Sequence, residues 1–396
     1  MKVMHITSGY YRESCGGIEV FVNNLVYHLK IKSVESVIVA CADKDEVLWD
    51  NGIKVYKFKP KGIIIPKSKI LYKYNRLLHM HNIFNSADLM RILKCEKPNL
   101  INVHMPRTIT TVIFDIAAKL KIPIVSTIHE RYSIWNYNPF ESYEHINCTS
   151  PPRVVEIVRG IQRKSTQKSN AIVGTNVDLI REYKREGYYA NVKEHVIPVA
   201  IPKTNVTAVD IINRRCAVLD KKIGLDLLYL GRLFPYKGIE NLLEYFSRLS
   251  QKNIRLHIAG NGPLENLVRQ YAQTDQRINF YGFVLGEEKE DLLFRADVLV
   301  FLPTEIETFG MVALEAMQHG LPVIASNVPS NRQLIDDRSS GIFIENEKDF
   351  FEAVKYYQNK NNLSSATIKA LQKSNFFSYD KLVESYYSLY KGLVNP

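Results

Sequence analysis

Residues 303 to 326 read Pro-Thr-Glu-Ile-Glu-Thr-Phe-Gly-Met-Val-Ala-Leu-Glu-Ala-Met-Gln-His-Gly-Leu-Pro-Val-Ile-Ala-Ser. A short polar loop meets a Phe309-Gly310 step, then a helical pattern and an apolar strand. Two carboxylates, Glu307 and Glu315, lie eight residues apart across the loop-to-helix junction. A helix start offers backbone N–H groups and a positive dipole end, which suit a phosphate-bearing ligand. Carboxylates accept hydrogen bonds from hydroxyls. A site needing both suits a phosphorylated sugar. Along an unbroken helix eight residues rise about 12 Å, long for two groups sharing one proton. That spacing suits two hydrogen-bonding points on one extended ligand. The plainer alternative is two surface carboxylates on an amphipathic helix. Against it, Glu315 sits among Val312, Ala313, Leu314, Ala316 and Met317, where a buried carboxylate needs partners. Glu305 is not distinguished from Glu307 by spacing.

Four further loops carry residue types suited to the same ligand. Gly231-Arg232-Leu-Phe-Pro-Tyr-Lys237-Gly238 places two cations around a turn that enters a helix. Arginine offers a planar fork to phosphate oxygens and lysine a point charge, so the pair can neutralise a diphosphate leaving group without metal. A solvated surface pair is the alternative. The Gly16-Gly17-Ile-Glu19 loop lets backbone approach a ligand, or is only a tight connection. It lacks the Gly-x-Gly-x-x-Gly dinucleotide pattern. Gly260-Asn-Gly262-Pro263 reads equally as a phosphate-side loop or a strand-to-helix turn. His129-Glu130 ends an apolar strand, and that position favours a functional His129. His5, His104 and His257 lie in strands and read as structural, with His104 at the margin of the expected cleft.

These loops must be held by strands and helices. A chain of 396 residues exceeds one core, which predicts two domains. Lys2–Thr7, Val37–Ala40, Asn99–His104, Ile124–Thr127 and Ala171–Gly174 read as strands alternating with helical patterns. The rhythm fades over 202–222, read as a linker. It resumes with strands at Leu227–Leu230, Arg255–Ala259, Ile278–Tyr281, Val298–Leu302 and Gly341–Ile344. Such alternation predicts α/β domains with doubly wound parallel sheets. In such sheets ligands bind beyond the carboxyl ends of strands, which places the loops above on a cleft between the domains.

Composition narrows the class. Five scattered cysteines, with no Cys-x-x-Cys pair, indicate neither a disulfide framework nor a zinc site, and fit a reducing cytoplasm. No apolar run reaches membrane-spanning length, and Met1–Ser8 does not read as a signal peptide. The net charge is +11. Residues 51 to 87 contain no Asp or Glu, and Lys54, Lys57, Lys59, Lys61, Lys67, Lys69, Lys73 and Arg76 alternate there with apolar and aromatic residues. The segment 54–76 suits docking on an anionic membrane surface, leaving the protein peripheral on the cytoplasmic face. A solvated basic face is the alternative. Nucleic acid is disfavoured, since no binding motif accompanies the charge.

Gly-Gly-x-Glu at 16–19, Gly-Arg-Leu with Lys237-Gly238, Gly-x-Gly-Pro at 260–263 and Glu-x-Phe-Gly-x-x-x-Leu-Glu-Ala at 307–316 follow one another. In these motifs and their order the chain resembles the retaining nucleotide-sugar glycosyltransferases of family 4. The resemblance covers nearly the whole chain and is strongest from Leu227 to Asn327. It implies a GT-B fold: a Rossmann-like acceptor-side domain over 1–202, a Rossmann-like donor domain over 203–378, and a helix over 379–396 returning to the first domain. It implies retaining transfer from a nucleoside diphosphate sugar to a glycan or lipid-linked acceptor, in polysaccharide or glycoconjugate synthesis, with no metal and no cofactor beyond the donor. Glu307 would hold sugar hydroxyls, with backbone N–H groups near Phe309 and Gly310. Glu315 would hold the ribose. Arg232 and Lys237 would bind the diphosphate, Gly17 and Gly262 would let phosphates or acceptor approach, and His129 would contact the donor sugar. Two positions depart from the family pattern: Pro198-Val-Ala-Ile-Pro202 replaces Pro-Asn-Gly-Val-Asp, and Glu130 replaces an aspartate. A nucleotide-sugar epimerase or a catalytically silent binding homologue are the rival readings.

Overall fold

The structure is a computed structural model that describes residues 1–7, 9–10, 12, 17–62, 81–104, 111–130, 153–201, 207–304 and 307–395. It divides into two compact units, Met1–Pro198 with Tyr379–Pro396, and Val199–Ser378.

The first unit is built on β1 (Lys2–Thr7), β2 (Glu35–Cys41), β3 (Glu46–Asp50), β4 (Ile53–Phe58), β5 (Leu100–Val103), β6 (Ile124–Ile128), β7 (Ala171–Gly174) and β8 (Lys193–Val196). Their order is β3-β4-β2-β1-β5-β6-β7-β8. All pairings are parallel except β3 with β4. Strands β5, β6 and β7 are buried at every position, as expected where helices cover both faces of a parallel sheet. The antiparallel β3–β4 hairpin turns at Asn51-Gly52, both with positive φ (50° and 79°), which suits this dipeptide.

That hairpin takes in the first part of the basic segment 54–76. Ile53, Val55 and Phe58 of β4 are buried. The lysines between them are committed to carboxylates: Lys54 to Glu96 (2.6 Å), Lys57 to Glu46 (3.0 Å) and, just beyond, Lys61 to Asp88 (2.5 Å). The rest of the segment, 63–76, lies outside the described residues.

The C-terminal helix Tyr379–Val394 belongs to this unit. It buries Tyr379, Leu382, Val383, Tyr386 and Tyr390, a helical stripe facing the core. Tyr379 stacks on His28 (ring centroids 4.4 Å apart) and receives a hydrogen bond from Asn24 (2.8 Å), both on the helix Gly17–Leu29.

The second unit holds β9 (Leu225–Leu230), β10 (Ile254–Ala259), β11 (Ile278–Gly282), β12 (Val298–Phe301), β13 (Val323–Ser326) and β14 (Gly341–Ile344). Its order, β11-β10-β9-β12-β13-β14, is the doubly wound 3-2-1-4-5-6 arrangement, parallel throughout. The chain reverses direction across the sheet between β9 and β12, so the loops after these two strands flank the switch point.

The segment expected as a linker over 202–222 contains the helix Ala208–Lys221, capped by Thr207, whose hydroxyl accepts from the Asp210 N–H (3.1 Å). Its buried Arg215 donates to the carbonyls of Leu293 (2.7 Å), Ala296 (2.7 Å) and His319 (2.5 Å). One guanidinium thus satisfies the orphan C-terminal carbonyls of two helices, Gly286–Arg295 and Met311–Gln318. The sequence does not show this anchor, because the carbonyls that Arg215 reaches lie 78 to 104 residues away.

Candidate active site

The candidate residues divide between the two units. In the second, they gather at the switch point. The loop after β9 carries Arg232 and Lys237, and the loop after β12 carries Glu307. The N–H of Thr304 donates to the Tyr236 carbonyl (2.9 Å), and that of Glu307 to the Thr304 carbonyl (3.2 Å), tying the loops together. Gly238 ends the first loop at φ 73°, and a Cβ there would overlap the Leu302 carbonyl. Only glycine permits this approach of the two backbones.

The result is an ion pair between Lys237 Nζ and Glu307 Oε2, with side chains 18% and 14% exposed. Burial alone would raise the Glu307 carboxyl. The Lys237 charge and hydrogen bond, with the backbone N–H groups of Phe309 and Thr308, outweigh burial and hold it below its ordinary value. Glu307 is therefore an anion at neutral pH, suited to accept hydrogen bonds. Arg232 is exposed, donates to the Tyr236 hydroxyl (2.6 Å), and lies over the Phe234 and Tyr236 rings (5.3 and 5.9 Å). Stacking keeps the guanidinium extended while its remaining donors reach solvent.

The two glutamates do not share a continuous helix. The helix begins at Met311, after Gly310 in the left-handed region (φ 84°), so the eight-residue rise does not apply. Glu315 instead pairs with Lys289 (2.8 Å), a partner that nothing in the local sequence signals. The Phe309 side chain is a buried anchor, edge-on to Phe377 at 5.9 Å. Its N–H turns back to Glu307. Gly262 has a packing reason: a Cβ there would lie 2.6 Å from the Leu233 carbonyl oxygen and 2.9 Å from its nitrogen.

In the first unit Gly17 opens the helix Gly17–Leu29 and is exposed, while Gly16 lies outside the described residues. His129 follows β6 and is joined to His104 (Nε2 to Nδ1, 3.2 Å), which meets His5 (Nε2 to Nδ1, 3.1 Å). His5 and His104, read as structural from the sequence, are thus directly linked to the candidate His129. Their positions in separate strands gave no signal of this. Burial pushes His129 down to about 3, so it is a neutral imidazole. Among the described residues no group of three or more His, Cys, Asp or Glu is placed to hold a metal ion; the histidines bond to one another rather than converge.

Comparison with known proteins bears on the whole chain. Similar folds include a sucrose-phosphate synthase from Thermosynechococcus elongatus, with TM-score 0.72, 17% identity and 99% of each chain covered. They also include Anabaena HepE in complex with UDP-glucose, with TM-score 0.67, 14% identity, and 99% of this chain and 100% of that one covered. Two parallel-sheet units of this kind define the GT-B glycosyltransferase fold. Residues 15–202 match the family model described as Glycosyltransferase Family 4, and residues 219–374 match that described as Glycosyl transferases group 1. Together the two models cover most of the chain, which is a glycosyltransferase with the GT-B fold. Among curated proteins it is similar to the O-antigen chain mannosyltransferase C of Escherichia coli, 23% identical over 100% of this chain and 99% of that one. It is also similar to the alpha-monoglucosyldiacylglycerol synthase of Streptococcus pneumoniae, 24% identical over 89% of this chain and 77% of that one.

Proposed function

We propose that the protein transfers a hexosyl group from a nucleoside diphosphate sugar to a glycan or lipid-linked acceptor, with retention and without metal, in polysaccharide or glycoconjugate synthesis. The carrying observation is the Lys237–Glu307 pair at the switch point, with Arg232 on the same loop as Lys237. The pair holds a cation for phosphate beside an anion for hydroxyls. On donor binding, Lys237 and Arg232 take the diphosphate oxygens and stabilise the charge that develops as the anomeric C–O bond breaks. Glu307 takes sugar hydroxyls, Phe309 and Gly310 shape its loop, and Glu315 takes the ribose. His129 contacts the donor sugar, while Gly17 and Gly262 allow close backbone approach. The acceptor oxygen forms the new C–O bond as the nucleoside diphosphate leaves, and the acceptor proton passes to a departing phosphate oxygen. Retention rests on the family resemblance.

The names of the similar mannosyltransferase and diacylglycerol glycoside synthase support a glycan or lipid acceptor. No helix among the described residues is long and apolar enough to cross a membrane. Docking on an anionic cytoplasmic membrane face would fall to Lys59, Lys67, Lys69, Lys73 and Arg76, because Lys54, Lys57 and Lys61 are already paired.

The test is a thermal-shift screen of nucleoside diphosphate sugars, UDP-sugars first because HepE was solved with UDP-glucose, followed by turnover of the best donor. Glu307→Ala is expected to abolish turnover while unfolding stays cooperative. Full turnover in that variant, or strict dependence on added divalent metal, overturns the assignment.

A further inference from the structure

Three neighbouring strands bring three histidines into one row. His5 lies in β1, His104 follows β5, and His129 follows β6. The rings stack in sequence, with centroids 5.4 and 5.5 Å apart and interplanar angles of 19° and 24°. Nδ1 of His5 meets Nε2 of His104, and Nδ1 of His104 meets Nε2 of His129. His5 and His104 are fully enclosed, while His129 keeps some solvent exposure. Burial holds all three in the neutral form.

A neutral imidazole carries one N–H and one lone pair. Two N···N hydrogen bonds among three such rings allow only two proton orders. With every proton on Nε2, His129 donates to His104 and His104 to His5. His5 then points a buried N–H at nothing, because its Nε2 has no partner. With every proton on Nδ1, His5 donates to His104 and His104 to His129. The unpartnered Nε2 of His5 is then a bare lone pair. Among backbone groups, buried N–H donors are left without a partner more rarely than acceptors, and the same order is taken for these rings. The second order is therefore favoured, and it leaves the Nδ1–H of His129 at the end of the row.

Aromatic rings and a hydrogen-bonded chain pack against the row. Phe21 lies edge-on to His104 (5.9 Å) and His129 (4.8 Å). Behind it, Thr127 donates to Asn102 (2.9 Å), Asn102 donates to the Tyr390 hydroxyl (2.5 Å), and Tyr386 donates to Thr127 (3.3 Å). Tyr390 also meets His5 edge-on at 6.4 Å.

We propose that His5 and His104 are positioning residues that lock His129 as the Nδ1–H tautomer, so that His129 gives the sugar donor a hydrogen-bond donor and does not act as a base. This rests on the reading of His129 as a donor-contacting residue. The N–H would reach an oxygen of the sugar or of the adjoining phosphate.

The test is 15N-histidine NMR of the full chain without ligand, with His129→Phe to assign the signal. At neutral pH His129 is expected to show a protonated Nδ1 and an unprotonated Nε2. His104→Phe keeps a flat ring but removes its donor, and the Nδ1–H form of His129 should lose its dominance. His104→Asn, whose amide can sit where Nδ1 was, should restore it. His5→Phe probes the same lock from the far end should His104→Phe not fold. Turnover should fall about tenfold in His104→Phe, as for one lost hydrogen bond, and recover in His104→Asn. An Nε2–H tautomer of His129 in the wild type, or an unchanged Nδ1–H population in both Phe variants, overturns the proposal. Absence of turnover in the wild type with every nucleoside diphosphate sugar would instead sink the transferase reading and leave the NMR result standing.

Discussion

Replacing Lys237 by Met strips Glu307 of its counter-charge while keeping the side-chain volume. Breaking a buried ion pair from one side costs about 3–5 kcal/mol, because the remaining charge stays buried without a partner. Here the side chains retain 18% and 14% exposure, and the N–H groups of Thr308 and Phe309 still reach Glu307. The cost should therefore fall to about 2 kcal/mol, below the fully buried case. For a unit of this size that lowers Tm by about 4–8 °C. The pH dependence gives the sharper signature. In the wild type Glu307 is held below its ordinary value, so its pair contributes stability above the unfolded carboxyl range. That contribution is lost as pH falls through the lowered folded value. Without Lys237, burial dominates and the carboxyl moves upward. Its contribution then reverses sign: the variant is penalised at neutral pH and relieved as protonation removes the buried charge. Thermal unfolding of both proteins without nucleotide, from about pH 7 to about pH 5, reads this directly. The gap in Tm should be largest at neutral pH and narrow on acidification. A gap under about 1 °C at neutral pH, or one independent of pH, would refute the argument.

Two further perturbations probe the scaffold. Gly238→Ala forces a Cβ against the Leu302 carbonyl at φ 73°, so the loops after β9 and β12 must part. Donor-induced thermal stabilisation should disappear and stability should drop by about 2 kcal/mol or more; unchanged donor binding would show that the loops need not touch. Glu96 is only 5% exposed on its side chain and receives Lys2 (2.7 Å), Lys54 (2.6 Å) and Tyr56 (2.5 Å). Burial works to raise its carboxyl, but these partners hold it at about 2. Its stabilisation is thus present above the ordinary carboxylate range and lost as pH falls toward that value. Glu96→Gln should cost about 2 kcal/mol at neutral pH and flatten the acid limb of the stability profile; an unchanged acid limb would refute it.

Much of the architecture was legible because buried parallel strands read as short apolar runs. Lys2–Thr7, Ala171–Gly174 and Gly341–Ile344 stand in the structure with the bounds their apolar residues suggest. The β3–β4 hairpin was hidden because Lys54 and Lys57 read together with the basic run that follows, although Asn51-Gly52 was the available turn signal. The helix Ala208–Lys221 was missed, and the carbonyls that its Arg215 reaches lie 78 to 104 residues away in the chain. For the site, residue type and strand-end position carried the information. The loop after β9 and the Glu307 loop could both be singled out, but not joined.

The local sequence alone determined which side chains could meet a phosphorylated sugar, because that depends on charge, hydrogen-bonding capacity and strand-end placement. It could not determine which of them meet each other. Lys237 and Glu307 are 70 residues apart, and only the parallel order of β9 beside β12 brings them into contact. Glu315, close to Glu307 in sequence, goes to Lys289 because Gly310 ends the loop and starts the helix on another course. His5, His104 and His129 form one row only because β1, β5 and β6 lie side by side in register. Charge and hydrogen-bonding type belong to each residue, but their pairing and tautomeric state depend on distances of a few ångströms that the packed strands create.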